Sequence, residues 1–536
     1  MNAKQSFYNI INENFEEKKD LIAVYFLGNK ITFKDFFAEI DKVASYLSDL
    51  GIKKGDVITI NLPNIPSAFT AFYAVSKLGC IANMVHPLVP NVALCEIMKN
   101  TNSKIVFTFD LKFQKNYPLL HENKIKCIVC SAANHLKPLK GRMFNLLNRK
   151  KLNFKNFDYI NYKTIQDYPC KDIEPDNSFD TPAVYLHSGG TTGEPKTIVL
   201  SAFAINSNTL YITYMLEDNP KGKGALAILP MFHGFGLSIC VNGPLIYGAT
   251  VVAVPSFSSK TVVSLMKKTN ISYIIGVSAI FEALISNPKF VNRATKNIRR
   301  CFCGGESMPL NLKERFDKVM EKGGSEARLQ EGYGLTEMTT VTSVNLKDTN
   351  RVGSVGKPLP NLSAIVIDES GKMVNDGEIC FAGNTQMLSY LNDKKTTNEV
   401  FFDYDNKRFV KTGDYGYIDK DGYIYIKQRI KRIAKVNGMA VFPLEIERFA
   451  EELDFVLNAC AVAVPDKRYG EVIKLFIILK DKKYDRELAT EQLIKYLKVR
   501  LIKYAMPKEI LFKESFPKTN VGKIDFEKLV AELGKS

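Results

Sequence analysis

The chain contains no tryptophan, and that gap alone decides nothing about function. Other gaps decide more. Residues 1–18 have neither the basic-then-apolar order of a secretory signal nor the bias of a transit peptide. The ten cysteines form no framework: Cys127 and Cys130 make a C-x-x-C inside a strand-like run with no second pair to complete a metal site, and Cys301 and Cys303 alternate as on a strand. Buried, reduced thiols and a cytoplasmic location are the expectation. From 224 to 259 there is no charged residue, a stretch longer than a spanning helix requires. Pro230, Gly234, Gly236, Gly243, Pro244, Gly248 and Pro255 interrupt it. We therefore read buried strands at 225–229 and 250–254, with a loop and a short helix between, and no membrane span. There is no Gly-x-x-x-x-Gly-Lys loop, no dinucleotide fingerprint, no Gly-x-Ser-x-Gly elbow and no internal repeat.

What is present is a soluble, folded composition: 536 residues, 46% hydrophobic and 24% charged, enough for two or more domains. The formal charge of +16 suits anionic ligands, acidic partner proteins or anionic lipid. Basic residues are interleaved with acidic ones almost everywhere, so most of that charge is a lysine-rich surface. Segment 136–157 is different. It carries Lys137, Lys140, Arg142, Arg149, Lys150, Lys151 and Lys155 among Leu, Met and Phe, with no acidic residue before Asp158. A solvated surface excursion is one reading; peripheral contact with an anionic membrane is the other.

Periodicity gives the outline. Thr32 to Asp35 resembles a capping box with Asp in the Glu place, followed by a helical apolar stripe from Phe36 to Leu50 and Gly51 as the stop. Strands at 57–62, 81–85, 104–109, 125–129 and 183–186 alternate with helices such as 68–78, which argues for parallel sheets covered by helices. After 350 the pattern turns β-rich, with strands at 363–367, 377–382, 409–411, 415–418 and 423–427. A charged break at 429–432 precedes a compact α+β unit: helix 443–452, strands 459–464 and 472–479, and a helix near 487–503. The boundary falls at Lys431, dividing 1–430 from 431–536.

The most informative stretch runs from Tyr185 to Ser201. A strand enters, Ser188-Gly189-Gly190-Thr191-Thr192-Gly193-Glu194-Pro195-Lys196 turns, and a strand leaves. Glycines let backbone N–H groups face an anion, hydroxyls add donors and Lys196 adds a full charge, so polyphosphate is the natural guest.

This loop resembles the signature of the adenylate-forming superfamily of acyl- and aryl-CoA synthetases, luciferases and peptide-synthetase adenylation domains. Further motifs follow in the family's order over nearly the whole chain. The resemblance implies an α/β fold: a large N-terminal domain of two flavodoxin-like α/β subdomains plus a β-barrel, with a small mobile α+β C-terminal domain. It implies ATP and Mg²⁺ as cofactors, with the nucleotide held by Ser188 to Gly193, Lys196, Gly304, Gly305, Glu306, Tyr333, Gly334, Thr336, Asp414, Ile426, Arg429 and Lys523. Within that set Tyr333 stacks near adenine, Thr336 contacts the α-phosphate and Glu337 holds the metal. In Leu229-Pro230-Met231-Phe232-His233, the histidine borders the acid pocket together with Gly305 and Gly334. No carboxylate stands at Phe232 or His233 to meet an α-ammonium group, which disfavours amino acids. Asp414 and Arg429 face the ribose and phosphate, although Gln428 stands where the family usually has Gly. Lys431 is the hinge. Lys435, Asn437 and Gly438 meet the pantetheine arm of CoA. Pro517-Lys518-Thr519 leads to Gly522 and Lys523, the lysine that drives adenylation, with Asp525 where many relatives carry Arg.

Together these imply an ATP-dependent acyl-CoA ligase for a carboxylic acid, on balance a fatty acid, in which Lys523, Thr336, Glu337 and Lys196 act in catalysis. One alternative is loading of the phosphopantetheine thiol of an acyl carrier protein. Another is a non-catalytic nucleotide or acyl sensor, which should already have lost Lys523, Glu337 or Lys196. Nucleic acid is not an expected partner.

Overall fold

The computed structural model describes residues 1–187, 196–291, 293–437, 439–466, 468–481, 483–518 and 524–533. Among the described residues two large sheets dominate. In the nine-stranded sheet, Ile22–Phe26, Thr250–Ala253, Gly224–Ala227, Ile271–Gly276, Arg300–Cys303 and Leu329–Gly334 lie parallel, in that spatial order. Its edges are antiparallel: Asn29–Thr32 at one side, Val341–Val344 and Lys357–Pro358 at the other. The uncharged stretch thus supplies two central strands, buried on both faces as their composition predicts. The helix expected between them is present, but its first part, Gly236–Asn242, is wound as a π-helix that passes into Gly243–Ile246.

The eight-stranded sheet, counted over the described residues, runs from Ser389–Tyr390 through Thr197–Ser201, Pro182–His187, Ile81–Met84, Val57–Asn61, Ile105–Phe109 and Lys126–Cys130 to Ile160–Asn161. Cys127 and Cys130 sit three residues apart on one strand, so their side chains enter different apolar clusters and cannot form a pair. Among the described residues the cysteines are free, and no helix is long and apolar enough to cross a membrane.

Helix Phe33–Asp49 shows how local sequence sets an element. Thr32 Oγ1 accepts the Asp35 N–H at 3.1 Å. The other arm of the capping box differs from expectation, because Asp35, shorter than Glu, takes the Thr32 hydroxyl proton at 2.7 Å. Gly51, at φ +83°, ends the helix.

Ser363–Ile367, Asp376–Ala382, Lys407–Ile418, Phe401–Tyr404 and Ile424–Arg429 form an antiparallel sheet curled into a half-barrel. The two short strands expected at 409–411 and 415–418 are one strand, bent where Gly413 adopts φ +71°. One apolar core joins the two α/β sheets and the half-barrel, and its last member is Ile424. The small C-terminal α+β domain has apolar clusters of its own: Ala434, Ile446, Val456 and Leu493 contribute to one, and Cys460, Phe476 and Leu529 to another.

Candidate active site

The strands around the glycine-rich segment are antiparallel, with His187 opposite Thr197. The chain therefore leaves and re-enters the sheet edge at neighbouring points. Ser188, Gly189, Gly190, Thr191, Thr192 and Gly193 lie outside the described residues, as do Gly438 and Lys523.

His187 anchors the base of this turn. Asn83 Nδ2 donates to Thr59 Oγ1 at 2.9 Å and to Thr101 Oγ1 at 3.2 Å, so its carbonyl oxygen is what faces His187 Nε2 at 2.7 Å. An amide oxygen only accepts, which places the imidazole proton on Nε2. Nδ1 is then the acceptor for the Thr197 hydroxyl at 3.1 Å. Burial pulls the His187 pKa down to about 4, which keeps the ring neutral, the only state able both to donate and to accept here. The unfolded chain, with an ordinary histidine near 6.5, binds the proton first as pH falls, so acid favours unfolding. We expect the melting temperature to drop between pH 6.5 and 4 more steeply in the native chain than in His187→Gln. Superimposable pH profiles would refute this role for the ring.

Lys196 lies with Nζ 4.9 Å above the Tyr390 ring. Tyr390 donates its hydroxyl to Glu337 Oε1 at 2.8 Å, and the Met387 N–H holds the Glu337 carbonyl at 2.8 Å. Burial first, and the Glu337 charge second, keep that phenol protonated. Motif spacing could not show this link, since Tyr390 arrives on the edge strand that pairs with Thr197–Ser201. Among the described residues no group of three or more His, Cys, Asp and Glu could hold a metal. A single carboxylate at Glu337 fits a hard cation that takes its other ligands from phosphate oxygens and water. We expect Tyr390→Phe to raise the Mg²⁺ concentration for half-maximal activity about tenfold, the weight of one hydrogen bond to a charged group. A lowered melting temperature with an unchanged Mg²⁺ titration would show Tyr390 to be structural only.

Thr336 and Glu337 occupy a short turn directly after strand Leu329–Gly334. Glycine is required at 334 because a Cβ there would lie 1.5 Å from the Thr340 carbonyl oxygen. At Gly305 (φ +85°) a Cβ would meet only Val277, at 3.8 Å, so the bare backbone leaves a cradle open to a flat ring. Tyr333 lies 6.1 Å from the Phe381 ring, stacked, and donates its hydroxyl to Asp414. Arg429 Nε donates to the other Asp414 oxygen at 2.9 Å. Asp414 is thus held from both sides at the bend beside Gly413, whose N–H donates to Glu378 at 2.8 Å.

The departure at Gln428 leaves Arg429 in place and has a function of its own. Gln428 is buried, and its Oε1 accepts the Leu444 N–H at 2.7 Å, capping the first turn of helix Pro443–Glu451. Two further bonds tie that helix to the loop after Cys303 and to the helix Leu310–Lys322 that follows it: Arg448 to Ser307 Oγ at 3.3 Å, and Asn311 Nδ2 to the Glu451 carbonyl at 2.9 Å. Burial raises the Glu331 carboxyl to about 7 and the Glu451 carboxyl to about 8 at this junction. Asp525, the other departure, caps and pairs Lys528 in helix Phe526–Leu533.

One cavity of about 2130 Å³ connects these groups. Its wall includes Lys196, His233, Gly304, Gly305, Glu306, Tyr333, Gly334, Thr336, Glu337, Asp414, Ile426, Arg429 and Lys431. Lys518 and Ile524, which pair across the segment holding Lys523, are also on it. Lys435 and Asn437 are not. They sit on and beside strand Ala434–Val436, where the Lys435 N–H meets Glu471 and the Asn437 N–H meets the Tyr469 carbonyl. The lining of the cavity also includes the apolar side chains of Ile212, Met215, Leu216, Ile239 and Ile275.

Two α/β sheets, a half-barrel and a small C-terminal α+β domain set around one cavity define the architecture, and comparison with known proteins gives its family. The family model for AMP-binding enzymes matches residues 11–391, and that for the AMP-binding enzyme C-terminal domain matches 445–523. The chain belongs to this adenylate-forming superfamily, and it is an enzyme of the AMP-forming acid–CoA ligase group. It is similar to a long-chain-fatty-acid–CoA ligase of Bacillus subtilis, at 29% identity over 98% of this chain and 94% of that one. It is also similar to a probable 4-coumarate–CoA ligase of Dictyostelium discoideum, at 30% over 96% and 93%. Among solved structures, ATP-bound MatB from Rhodopseudomonas palustris superposes with a TM-score of 0.85 at 22% identity, covering 99% of each chain. The anthranilate CoA ligase AuaEII with anthranoyl-AMP has a TM-score of 0.85 at 22% identity, covering 98% and 97%. ATP binding goes with this family and fold.

Proposed function

We propose that the enzyme activates a chain-like monocarboxylic acid, a fatty acid, as its acyl-adenylate and transfers the acyl group to the thiol of CoA. The observation that carries the acid assignment is the composition of the lining contributed by residues 212–283. The lining residues between Ile212 and Ala283 include no Lys or Arg and one carboxylate, Glu282; the lysines and arginines of the lining, among the described residues, are Lys196, Lys411, Arg429, Lys431, Arg432, Arg448 and Lys518. A dicarboxylic acid would leave its second carboxylate buried there without a partner, at a cost of several kcal/mol. An alkyl chain gains ~0.8 kcal/mol for each methylene it buries. The volume also exceeds the roughly 1,000 Å³ upper range of ordinary ligand pockets, which suits a nucleotide and a long acid held together.

In the first half-reaction the acid's carboxylate oxygen bonds to the α-phosphorus of ATP, and the bond to pyrophosphate breaks. Both reactants are anions, so the work of the protein is neutralisation and alignment. Donors of the Ser188–Lys196 turn, the Thr336 hydroxyl and Lys523 gather on the phosphates, Asp414 and Arg429 hold the ribose end, and His233 borders the carboxylate. Mg²⁺ on Glu337 would supply charge neutralisation to the phosphate oxygens. In the second half-reaction the thiol sulfur, having given up its proton, bonds to the acyl carbon and AMP leaves. The C-terminal lobe, from Lys431 onward, turns between the two steps, which breaks the Gln428–Leu444 cap and brings Lys435, Asn437 and Gly438 to the thiol.

The test is acid-dependent exchange of pyrophosphate into ATP, followed by AMP release with CoA across linear, aromatic and dicarboxylic acids. We expect linear chains to give the highest kcat/KM, rising with length. Preference for malonate or benzoate would overturn the acid assignment. AMP release with a phosphopantetheinylated carrier protein, and none with CoA, would overturn the acceptor.

A further inference from the structure

Helix Pro138–Leu147 points a row of apolar side chains at solvent. Leu139 is 81% exposed, Met143 58%, Leu146 68% and Leu147 76%. These are positions i, i+4, i+7 and i+8, one face of a helix. The opposite face is fixed to the body of the protein: Gly141 is buried, its Cβ position 3.3 Å from the Ala133 carbonyl oxygen, and Phe144 packs on the main core. Lys140 Nζ also donates to the Leu27 carbonyl at 3.0 Å, tying the helix to the hairpin of Ile22–Phe26 and Asn29–Thr32. The apolar row is therefore presented rigidly.

The segment that carries it has charge of one sign. Residues 136–157 hold seven basic and no acidic side chains. Arg149, Lys150 and Lys151 are exposed just past the helix end. We propose that this helix and the basic turn after it seat the enzyme peripherally on a bilayer that contains anionic lipid. Side chains such as Leu146 and Leu147 enter the boundary between headgroups and acyl chains, while the lysines and arginines meet headgroup phosphates. A second copy of this chain is a poor occupant, because pairing the two faces would bring fourteen basic side chains together (7 + 7). An acidic protein would meet the charge and leave the leucine row unexplained. The proposal does not depend on which acid the active site takes.

The experiment is flotation of the full-length enzyme with vesicles of phosphatidylcholine alone and of phosphatidylcholine mixed with phosphatidylglycerol, at low and high salt. The expected result is binding only with the anionic lipid, weakened by salt. Leu146→Ser with Leu147→Ser should lower partitioning at least about tenfold. Lys150→Ser with Lys151→Ser should lower it about fivefold for each charge removed. All four positions are exposed and distant in sequence from the site motifs, so pyrophosphate exchange in detergent-free solution and the melting temperature should stay unchanged. Equal binding to uncharged vesicles, no binding to either, or full binding by the leucine variant would each overturn the proposal. So would a dimer in solution that the leucine variant dissociates.

Discussion

Replacing Lys523 by alanine is expected to abolish formation of the acyl-adenylate and to leave intact the conversion of a supplied acyl-adenylate to thioester. One preorganised charged donor at the reacting phosphate contributes about 3–4 kcal/mol of transition-state stabilisation, so pyrophosphate exchange should fall ~10²–10³-fold. The prediction rests on the proposed role of Lys523 and on the described residues that flank its segment. Lys518 and Ile524 form a bridge on the wall of the cavity that also holds Thr336, Glu337 and Asp414, and Lys523 immediately precedes Ile524 in sequence. In the proposed mechanism the two half-reactions use different lobe arrangements, so a lysine that serves one is not required in the other. Equal loss in both would refute the assignment. The melting temperature of the variant should match that of the native chain.

Asp414→Ala is the second large effect. The carboxylate is 3% exposed and accepts from Tyr333 on one oxygen and from Arg429 on the other. As the acceptor proposed for the ribose hydroxyls, its loss removes hydrogen bonds to a charged group, about 3 kcal/mol in all, or ~10² in kcat/KM for ATP. Stability should suffer less. The Arg429 side chain is 55% exposed and can turn to water, which leaves mainly the buried Tyr333 hydroxyl without its partner, a cost of about 1–3 kcal/mol. Asp414→Asn separates the two effects. An amide oxygen still accepts from Tyr333, so most stability returns, while the weaker, uncharged acceptor leaves ATP use impaired. If Asp414→Asn recovered ATP use in full, the negative charge would have no part in nucleotide binding.

The smaller effects at His187 and Tyr390 have a common origin. Both side chains brace the surroundings of a motif, His187 by joining Asn83 to Thr197 beside the glycine-rich segment and Tyr390 by its bond to Glu337. Neither partner was legible from spacing. Tyr390 stands 53 residues beyond Glu337 and Asn83 stands 104 before His187; strand pairing in the eight-stranded sheet brings Asn83 beside His187, and the packing of that sheet's edge strand against the turn after Leu329–Gly334 brings Tyr390 to Glu337.

Local chemistry written along the chain determined a great deal. Glycine at 305 and 334, the hydroxyl-rich turn before Lys196, the period-two and helical apolar patterns and the uncharged central strands each act within a few residues. The apolar patterns therefore read directly as strand, helix or buried sheet, and the glycine- and hydroxyl-rich turn as the expected phosphate site. The helix stop at Gly51 and the central strands near 225 and 250 belong to this class, because backbone conformation and burial pattern are short-range properties. Only the tertiary structure decided the rest. Gln428 looked like a flaw beside Arg429 until its side chain met the first turn of a helix sixteen residues on. Which face of the helix within segment 136–157 points outward was set only when the fold buried Gly141 and Phe144 against the body and left the leucines outside. In each case the deciding contact joins groups that periodicity cannot relate, since it depends on which surfaces the folded lobes bring together.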